Sequence, residues 1–238
     1  MPMDWLVVRL DESVVPNRLI ATNRAAMPID LRVSLDHAVN IRTAPAFPMR
    51  ATIPPLASVP VATVGPARRG SHWGYSYATT WGMGAPGETP VPFTYEVPLL
   101  GPAKRARVVQ GPGGAFSHTD RFNRYAIDYG VPVGTPVAAA RAGTVATIEQ
   151  GFTEAGTDPS FAKKGNSIRI LHDDGTWSYY GHLEPRSARV RIGDHVEAGQ
   201  VLALSGNTGW SSGPHLHFAV MANRDDLETS IPFTVARN

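Results

Sequence analysis

The sequence of 238 residues contains no cysteine, which excludes disulfide bridges, thiolate metal ligands and a cysteine nucleophile. Any metal site must therefore use His, Asp or Glu. No uncharged apolar run reaches the ~18 residues that cross a bilayer, so we expect no membrane span. The apolar patch in MPMDWLVVRL is too short for a signal peptide, and no small-residue cleavage site follows it. The formal net charge of only +2 does not indicate a nucleic-acid partner.

Proline, histidine and charge are unevenly spread along the chain. Of the 21 prolines, 15 lie in residues 1–112, whereas six of the eight histidines lie after residue 112. The stretch GPAKRARVVQGPGG between these halves contains Gly and Pro at both ends, as is typical of a linker. The composition therefore predicts two domains, residues 1–110 and residues 111–238.

The first half predicts a small β-sandwich-like domain. Residues 31–35 and 39–42 alternate apolar and polar side chains, as half-buried strands do. The prolines between residues 54 and 66 predict short edge pieces after these strands. The run WGYSYATTWGMG places Trp73, Tyr75 and Tyr77 on one strand face, which we interpret as part of the core.

The second half also predicts β-structure. Its strands recur at spacings of roughly ten residues and are joined by glycine-containing turns, a pattern typical of a barrel or sandwich. A short helix is expected only around residues 161–163. The expected fold class of the whole chain is therefore all-β.

The sharpest chemical feature is the HxH sequence His215-Leu216-His217. On a strand, residues i and i+2 point to the same face, so the two imidazoles project together while Leu216 turns the other way. Two adjacent imidazoles suit a metal site or acid–base chemistry at neutral pH. The alternative interpretation is a pair of surface histidines on an edge strand.

Two further residues add to this pattern. His182 ends the strand that returns from the turn at Asp173-Asp174-Gly175. Asp128 stands among apolar residues in YAIDYG, where a buried carboxylate is costly unless it is paired or bound to a cation. Taken alone, Asp128 is better interpreted as a turn-capping residue.

Four sequence segments contain or flank these residues: YAIDYGVPVGTPVAAARAGTV, GNSIRILHDDGTWSYYGHL, VRIGDHVEAGQVLALSGNTG and SSGPHLHFAV. In this order, over about residues 116–218, they resemble the lysostaphin-type (LytM-like) zinc metallopeptidases that cleave peptidoglycan peptides. The resemblance implies a LytM-like antiparallel β-sheet domain in residues 111–238. It also implies a zinc-dependent endopeptidase that hydrolyses the peptide cross-links of bacterial peptidoglycan.

The resemblance assigns roles to individual residues. It implies that Asp128 and His217 are zinc ligands and that His182 and His215 are catalytic histidines beside the metal. His215 would act as general base for the attacking water, and His182 would orient that water or stabilise the oxyanion. Zinc is the expected cofactor because it prefers imidazole and carboxylate ligands in tetrahedral geometry.

One position departs from the family pattern. The usual HxxxD ligand pair would place a histidine at residue 124, but this residue is Arg124, which has no lone pair to offer a metal. We expect His118, ten residues before Asp128, to be the third ligand, because the intervening TDRFNR could loop out. Asp120 and Asn123 are poorer substitutes from the same loop.

Two other functions compete with the enzyme. A non-catalytic LytM-like domain could bind cell wall or activate another hydrolase, and it would differ from the enzyme in binding no zinc. A lipoyl or biotinyl carrier is suggested by VRIGDHVEAGQVLAL, but a carrier needs a lysine at a hairpin tip. The only lysines of the second half are Lys163 and Lys164, upstream of that stretch.

A peptidoglycan substrate implies a periplasmic or extracellular protein, although MPMDWLVVRL supplies no export signal. The N-terminal β domain could position the enzyme, cover its cleft or bind a protein partner. The bond cleaved would depend on cleft loops, for which residues 150–164 and 209–214 are the candidates. We interpret His172 as a local hydrogen-bonding residue and His195 as solvent-exposed.

Overall fold

The computed structural model describes residues 4–225 and 227–236. Within them the regular elements are strands and two short 3-10 helices, so the predicted all-β class is confirmed. The 3-10 helix Pro159–Phe161 lies at the predicted short helix, and the other is Gly101–Arg105. Among these residues, no helix has the length and apolar character that crossing a bilayer requires.

The chain packs as two compact units. One is formed mainly by Asp4–Pro86, and the other by Gly87–Arg224 with residues 228–236. The packing boundary thus precedes the compositional boundary at residues 110 and 111. The reason is that Tyr95, Val97 and Leu99, from the proline-rich stretch, belong to the core of the second unit.

The first unit consists of two sheets. Its strands are β1 (Leu6–Asp11), β2 (Asn17–Asn23), β3 (Ile29–Val39), β4 (Ile41–Ala44), β5 (Met49–Ile53), β6 (Ser58–Pro66) and β7 (Gly74–Met83). One sheet has the order β1-β2-β6-β4 and the other β5-β3-β7, and the pairs are antiparallel. Alternate residues of β3, namely Ile29, Leu31 and Val33, are buried, as in a β-sandwich.

Two details of this unit differ from the sequence expectation. Strand β6 carries Pro60 but is an interior strand of nine residues, so the prediction of short edge pieces is wrong. The register shifts where Ile20 faces Pro60, and an irregularity of this kind tolerates a residue without an N–H. Tyr75 and Tyr77 are half-buried, and Trp73 stacks on Tyr75, so these aromatics border the core rather than fill it.

The second unit is built around one large sheet. Its strands are β8 (Thr94–Tyr95), β9 (Val108–Gln110), β10 (Ile127–Tyr129), β11 (Pro136–Ala138), β12 (Gly143–Glu149), β13 (Ala155–Gly156), β14 (Ser167–Leu171), β15 (Trp177–Gly181), β16 (His195–Val196), β17 (Val201–Leu204), β18 (Gly209–Trp210), β19 (Leu216–Arg224), β20 (Leu227–Ser230) and β21 (Thr234–Val235). The large sheet has the order β16-β12-β14-β15-β19-β10-β9, with β20 beside β19. Neighbours along this order are antiparallel, which agrees with the expected antiparallel β-sheet domain.

The two faces of this sheet have different roles. Leu216, Phe218 and Val220 of β19 point into the hydrophobic core, where each is at most 1% exposed. His217, between the first two, must point to the opposite face because side chains alternate along a strand. The main core therefore lies on one face of β19, and His217 lies on the other face together with the buried Ala219 and Met221.

A buried arginine attaches the segment that precedes the large sheet. The guanidinium of Arg141 lies 4.3 Å from the ring centroid of Phe93, donates to Asp174 at 2.9 Å and also pairs with Asp173. Asp174 in turn accepts a hydrogen bond from the backbone N–H of Val91 at 3.2 Å. These contacts explain why the proline-rich stretch around residue 92 packs with the second unit.

His172 is buried beside the same turn. Its Nδ1 donates to the carbonyl oxygen of Ala142 at 2.9 Å, and its ring packs edge-on against Tyr95. The hydrogen-bonding role expected for His172 is therefore present, although its partner is 30 residues away in the chain. Burial lowers the pKa of His172 to about 4.

We expect His172 to make the free energy of unfolding depend on pH. The unfolded chain binds a proton at His172 near pH 6.5 and the folded protein only near pH 4, so acidification between these values favours unfolding. The loss is on the order of 3 kcal/mol at most. Chemical denaturation of wild type and His172→Gln at several pH values measures it, and the slope should be smaller in the variant. Equal slopes would contradict the prediction.

Candidate metal centre

The register of the large sheet brings two of the predicted site residues side by side. Asp128 of β10 stands directly opposite His217 of β19, and Gly181 of β15 stands opposite His217 on its other side. His215 immediately precedes β19, and Leu216 points into the core. The HxH pair thus faces Asp128 and does not form an exposed edge-strand pair.

Asp128 is the charge at the middle of this group. The side chain is buried, and its Oδ1 lies 2.9 Å from His217 Nδ1 and 3.7 Å from His215 Nε2. Its Oδ2 lies 3.2 Å from His118 Nε2. Burial alone would raise the pKa of Asp128, but the interactions with His118 and His217 lower this pKa well below its usual range. The carboxylate is therefore ionised, as a metal ligand must be.

His118 reaches the group from the loop between β9 and β10. It is fully buried, and its Nδ1 donates to the carbonyl oxygen of Gly111 at 2.8 Å. A carbonyl only accepts hydrogen bonds, so Nδ1 carries the proton and, in the neutral ring, Nε2 keeps its lone pair. This Nε2 atom is buried and faces Oδ2 of Asp128 at 3.2 Å. A ring nitrogen fixed by a backbone carbonyl on its other side is the usual arrangement of a metal-binding histidine.

The other residues of this loop lie elsewhere. Arg124, at the position of the usual ligand, is exposed, and its guanidinium lies 6.0 Å from the centroid of the Tyr125 ring. Asp120 is exposed and accepts hydrogen bonds from the backbone and side chain of Asn123 at 3.0 Å and 2.8 Å. Of the residues considered for the third position, the structure brings His118 to Asp128.

His182 and His215 form the other side of the group. Their ring centroids are 4.5 Å apart, and that of His182 is 5.7 Å from that of His217. Nδ1 of His182 donates to Thr208 O at 2.6 Å, and Nδ1 of His215 donates to Gly213 O at 2.8 Å. Both residues therefore keep a lone pair on Nε2 when they are neutral.

Burial keeps these two imidazoles neutral. It lowers the pKa of His182 to about 3, with a further contribution from His215, and it also lowers the pKa of His215. Both rings are thus proton acceptors near neutral pH. This is the state that a general base requires before it takes a proton from water.

A pair of glycines positions the carbonyl that holds His182. Gly209 has φ of +83°, and a Cβ there would lie 2.6 Å from the Cα of Gly165. Only glycine permits this close backbone approach and this conformation. The last glycine of GNTG therefore has a local reason: it lets the chain pass close to Gly165 beside the Thr208 carbonyl that meets the imidazole of His182.

The donor atoms fit a small cation that prefers nitrogen and oxygen. His118, Asp128 and His217 offer ligand atoms that all lie within 4.8 Å of one another, and so do His182, His215 and His217. A tetrahedral ion with bonds of 2.0–2.1 Å separates its donors by about 3.3 Å. Oδ1 of Asp128 lies 2.9 Å from Nδ1 of His217, and its Oδ2 lies 3.2 Å from Nε2 of His118, so each oxygen is near one imidazole at about this separation. The first trio, which is buried, could therefore hold a metal ion.

Two neighbours of the site were not anticipated from the sequence. Tyr179 packs edge-on against His217, with ring centroids 5.8 Å apart. Tyr179 lies two residues before Gly181 on β15, so the same alternation could have placed it on the site face. Gln110 touches Asp128, but it lies in the stretch interpreted as a linker, where no periodicity marks it.

The all-β fold and the buried His/Asp trio together define a β-sheet domain with a candidate metal centre. Residues 122–229 match the model of peptidase family M23. The lysostaphin-type, LytM-like resemblance expected from the sequence is thereby confirmed for this part of the chain. The matched segment contains Asp128, His182, His215 and His217 but begins four residues after His118.

Three relatives each match about two fifths of the chain. The glycyl-glycine endopeptidase ALE-1 of Staphylococcus capitis is 40% identical over 102 residues, which are 42% of this chain and 25% of that protein. Lysostaphin of Staphylococcus simulans is 38% identical over 100 residues, 42% of this chain and 18% of that protein. The peptidoglycan DD-endopeptidase ShyC of Vibrio cholerae is 36% identical over 96 residues, 40% of this chain and 19% of that protein. The chain thus spans a quarter or less of the length of these relatives.

Proposed function

We propose that the protein is a zinc-dependent endopeptidase that hydrolyses the peptide cross-links of bacterial peptidoglycan. The observation that carries the proposal is the buried trio of His118, Asp128 and His217 with two neutral imidazoles beside it. Zinc is proposed as the metal because two imidazoles and one carboxylate suit its tetrahedral preference.

Three residues would hold the metal: His118, Asp128 and His217. Zinc in such a site supplies a Lewis acid that lowers the pKa of water and polarises a peptide carbonyl. The chain contributes the geometry, because the β10–β19 register fixes Asp128 against His217 and the Gly111 carbonyl orients His118. The ordered partners hold all three side chains in place before substrate arrives.

His215 is proposed as the general base. Its Nδ1 proton is held by Gly213 O, so Nε2 is the atom that takes a proton from water. This Nε2 lies 3.7 Å from Oδ1 of Asp128, beside the proposed metal ligands. The same atom, once protonated, can pass the proton to the leaving amine.

His182 is proposed to orient the attacking water. Because its Nδ1–H is donated to Thr208 O, its Nε2 accepts a hydrogen bond in the neutral state that burial favours. An accepting nitrogen holds a water O–H and directs the oxygen lone pair away from itself. Stabilisation of an oxyanion would require a protonated His182, which the lowered pKa disfavours.

The substrate is proposed from the relatives. ALE-1 is named a glycyl-glycine endopeptidase and ShyC a peptidoglycan DD-endopeptidase, so cleavage of a peptide bond is the shared chemistry, and the name of ShyC adds peptidoglycan as the substrate. Since peptidoglycan lies outside the cytoplasmic membrane, we place the activity in the periplasm or outside the cell. The first unit, residues 4–86, is proposed as an accessory domain that could bind a protein partner.

Zinc dependence and hydrolysis can be tested on the purified chain. We expect about one zinc per chain, release of soluble fragments from purified peptidoglycan, loss of release after chelation and recovery when zinc is restored. Elemental analysis and mass spectrometry of the fragments give the metal content and the bond cleaved. A folded protein that takes up no zinc and releases no fragments would support the alternative, a non-catalytic domain that binds cell wall or activates another hydrolase.

A further inference from the structure

Gln110 touches both a proposed metal ligand and the loop that carries another. It ends β9 and stands opposite Asp128 in the β9–β10 register. Its Nε2 donates to Ser117 Oγ at 2.8 Å and to Asp128 Oδ2 at 3.2 Å. Its Oε1 accepts from the backbone N–H of Phe116 at 3.2 Å. One amide therefore joins the carboxylate to the two residues that precede His118.

The orientation of this amide follows from its partners. A backbone N–H can only donate, so the Gln110 atom that meets Phe116 is the oxygen. The NH2 group consequently faces Ser117 and Asp128. A carboxylate can only accept from it, which makes the contact with Oδ2 of Asp128 a charge-assisted hydrogen bond.

The loop is shaped around this side chain. A Cβ at residue 114 would clash with Cγ of Gln110, so Gly114 lets the backbone pass directly over the glutamine. The carbonyl oxygen of Gly114 then accepts from the backbone N–H of His118 at 3.0 Å. The path of the loop from Gly111 to His118 is thus fixed against the Gln110 side chain at its middle.

We propose that Gln110 is a positioning residue for the metal site, an inference that rests on the proposed zinc-dependent function. Oδ2 of Asp128 receives the Gln110 amide and also lies 3.2 Å from Nε2 of His118, while Oδ1 faces His217. The amide therefore sets the rotation of the carboxylate, so that each oxygen faces one histidine. Through Phe116 and Ser117 it also sets the position of His118, without touching the metal itself.

The test is the zinc affinity of Gln110→Met, which keeps the length of the side chain and removes its hydrogen bonds. Competition with a chromophoric chelator gives the dissociation constant for zinc. We expect it to rise by about 10- to 100-fold, as is typical when an outer partner of a metal ligand is removed. The matched control is Gln200→Met, because the Gln200 amide also accepts a backbone N–H, from Glu197 at 3.2 Å, in an exposed turn.

Additional measurements separate positioning from a general loss of stability. The Tm of each metal-free protein and the visible absorption of each cobalt-substituted protein are compared. A positioning role changes the zinc dissociation constant and the cobalt spectrum of a folded protein, whereas a merely structural role lowers only the Tm. If Gln110→Met does not fold, Gln110→Asn carries the same test, since its shorter amide cannot reach both Phe116 and Asp128.

The outcomes are distinct. Weakened zinc binding in the Gln110 variant with unchanged binding in Gln200→Met supports the inference. Equal zinc affinity in wild type and the folded Gln110 variant overturns the inference and leaves the proposed function in place. A wild-type protein that binds no zinc overturns the proposed function, and this inference with it.

Discussion

A His217→Ala variant is expected to fold but to lose its zinc. His217 lies near the start of β19, opposite Asp128, and its removal takes away one of three proposed ligands. Loss of a ligand should exceed the roughly 10- to 100-fold loss of affinity that removal of an outer partner causes. Asp128→Ala should have the same effect, because the cluster then has no carboxylate. Elemental analysis and competition with a chelator measure the loss.

The third ligand is tested by a pair of variants in one loop. His118→Ala should lose zinc as His217→Ala does, whereas Arg124→Ala should retain it because Arg124 is exposed. His195→Ala, at an exposed histidine of β16, controls for the loss of an imidazole. Zinc retained by His118→Ala and lost by Arg124→Ala would refute the assignment of His118. Undiminished peptidoglycan cleavage by His217→Ala would refute the site as a whole.

A His215→Ala variant is expected to keep zinc and lose hydrolysis. The side chain is proposed as the base through Nε2, and its carbonyl partner Gly213 is not a metal ligand. Removal of a general base typically costs about 10²- to 10⁴-fold in rate, so the release of fragments from peptidoglycan should fall by at least this lower figure. The rate is measured on purified peptidoglycan, and the zinc content is measured on the same sample.

The zinc content distinguishes inactivity caused by loss of the general base from inactivity caused by loss of the metal. His215→Ala and His217→Ala should both be inactive, but only the second should lack zinc. Far-UV circular dichroism checks that both variants fold, and His195→Ala should behave as wild type in all three measurements. If His215→Ala lost its zinc, His215 would belong to the ligand set, and its assignment as base would be wrong.

Strand periodicity made much of the site predictable. The alternation in His215-Leu216-His217 placed both imidazoles on one face and Leu216 in the core, and the structure has this arrangement. His182 and Asp128 were assigned to the site through the resemblance of the surrounding motifs to the LytM-like family, and the sheet register brings Asp128 opposite His217 and Gly181 beside it. Strand alternation is a local signal that depends on backbone geometry, and a single sequence carries it well.

Long-range packing was less predictable. Composition assigned residues 1–110 to the first domain, but Tyr95 and Leu99 belong to the core of the second unit. Pro60 predicted an edge, but a register shift accommodates it inside a sheet. No sequence periodicity or motif marks Gln110, and its role depends on Asp128, which stands opposite it in β10. Each case depends on a partner that is remote in sequence.

The row formed by Asp128, His217 and Gly181 across β10, β19 and β15 makes the assembly of the site cooperative. A shift of one residue in the pairing of β10 with β19 would turn Asp128 to the core face and leave His217 without its carboxylate. No local segment contains the whole trio, since 89 residues separate Asp128 from His217. The proposed hydrolase would therefore gain its metal only when the central strands have paired correctly, so a newly made chain would stay inactive toward its surroundings until it had folded.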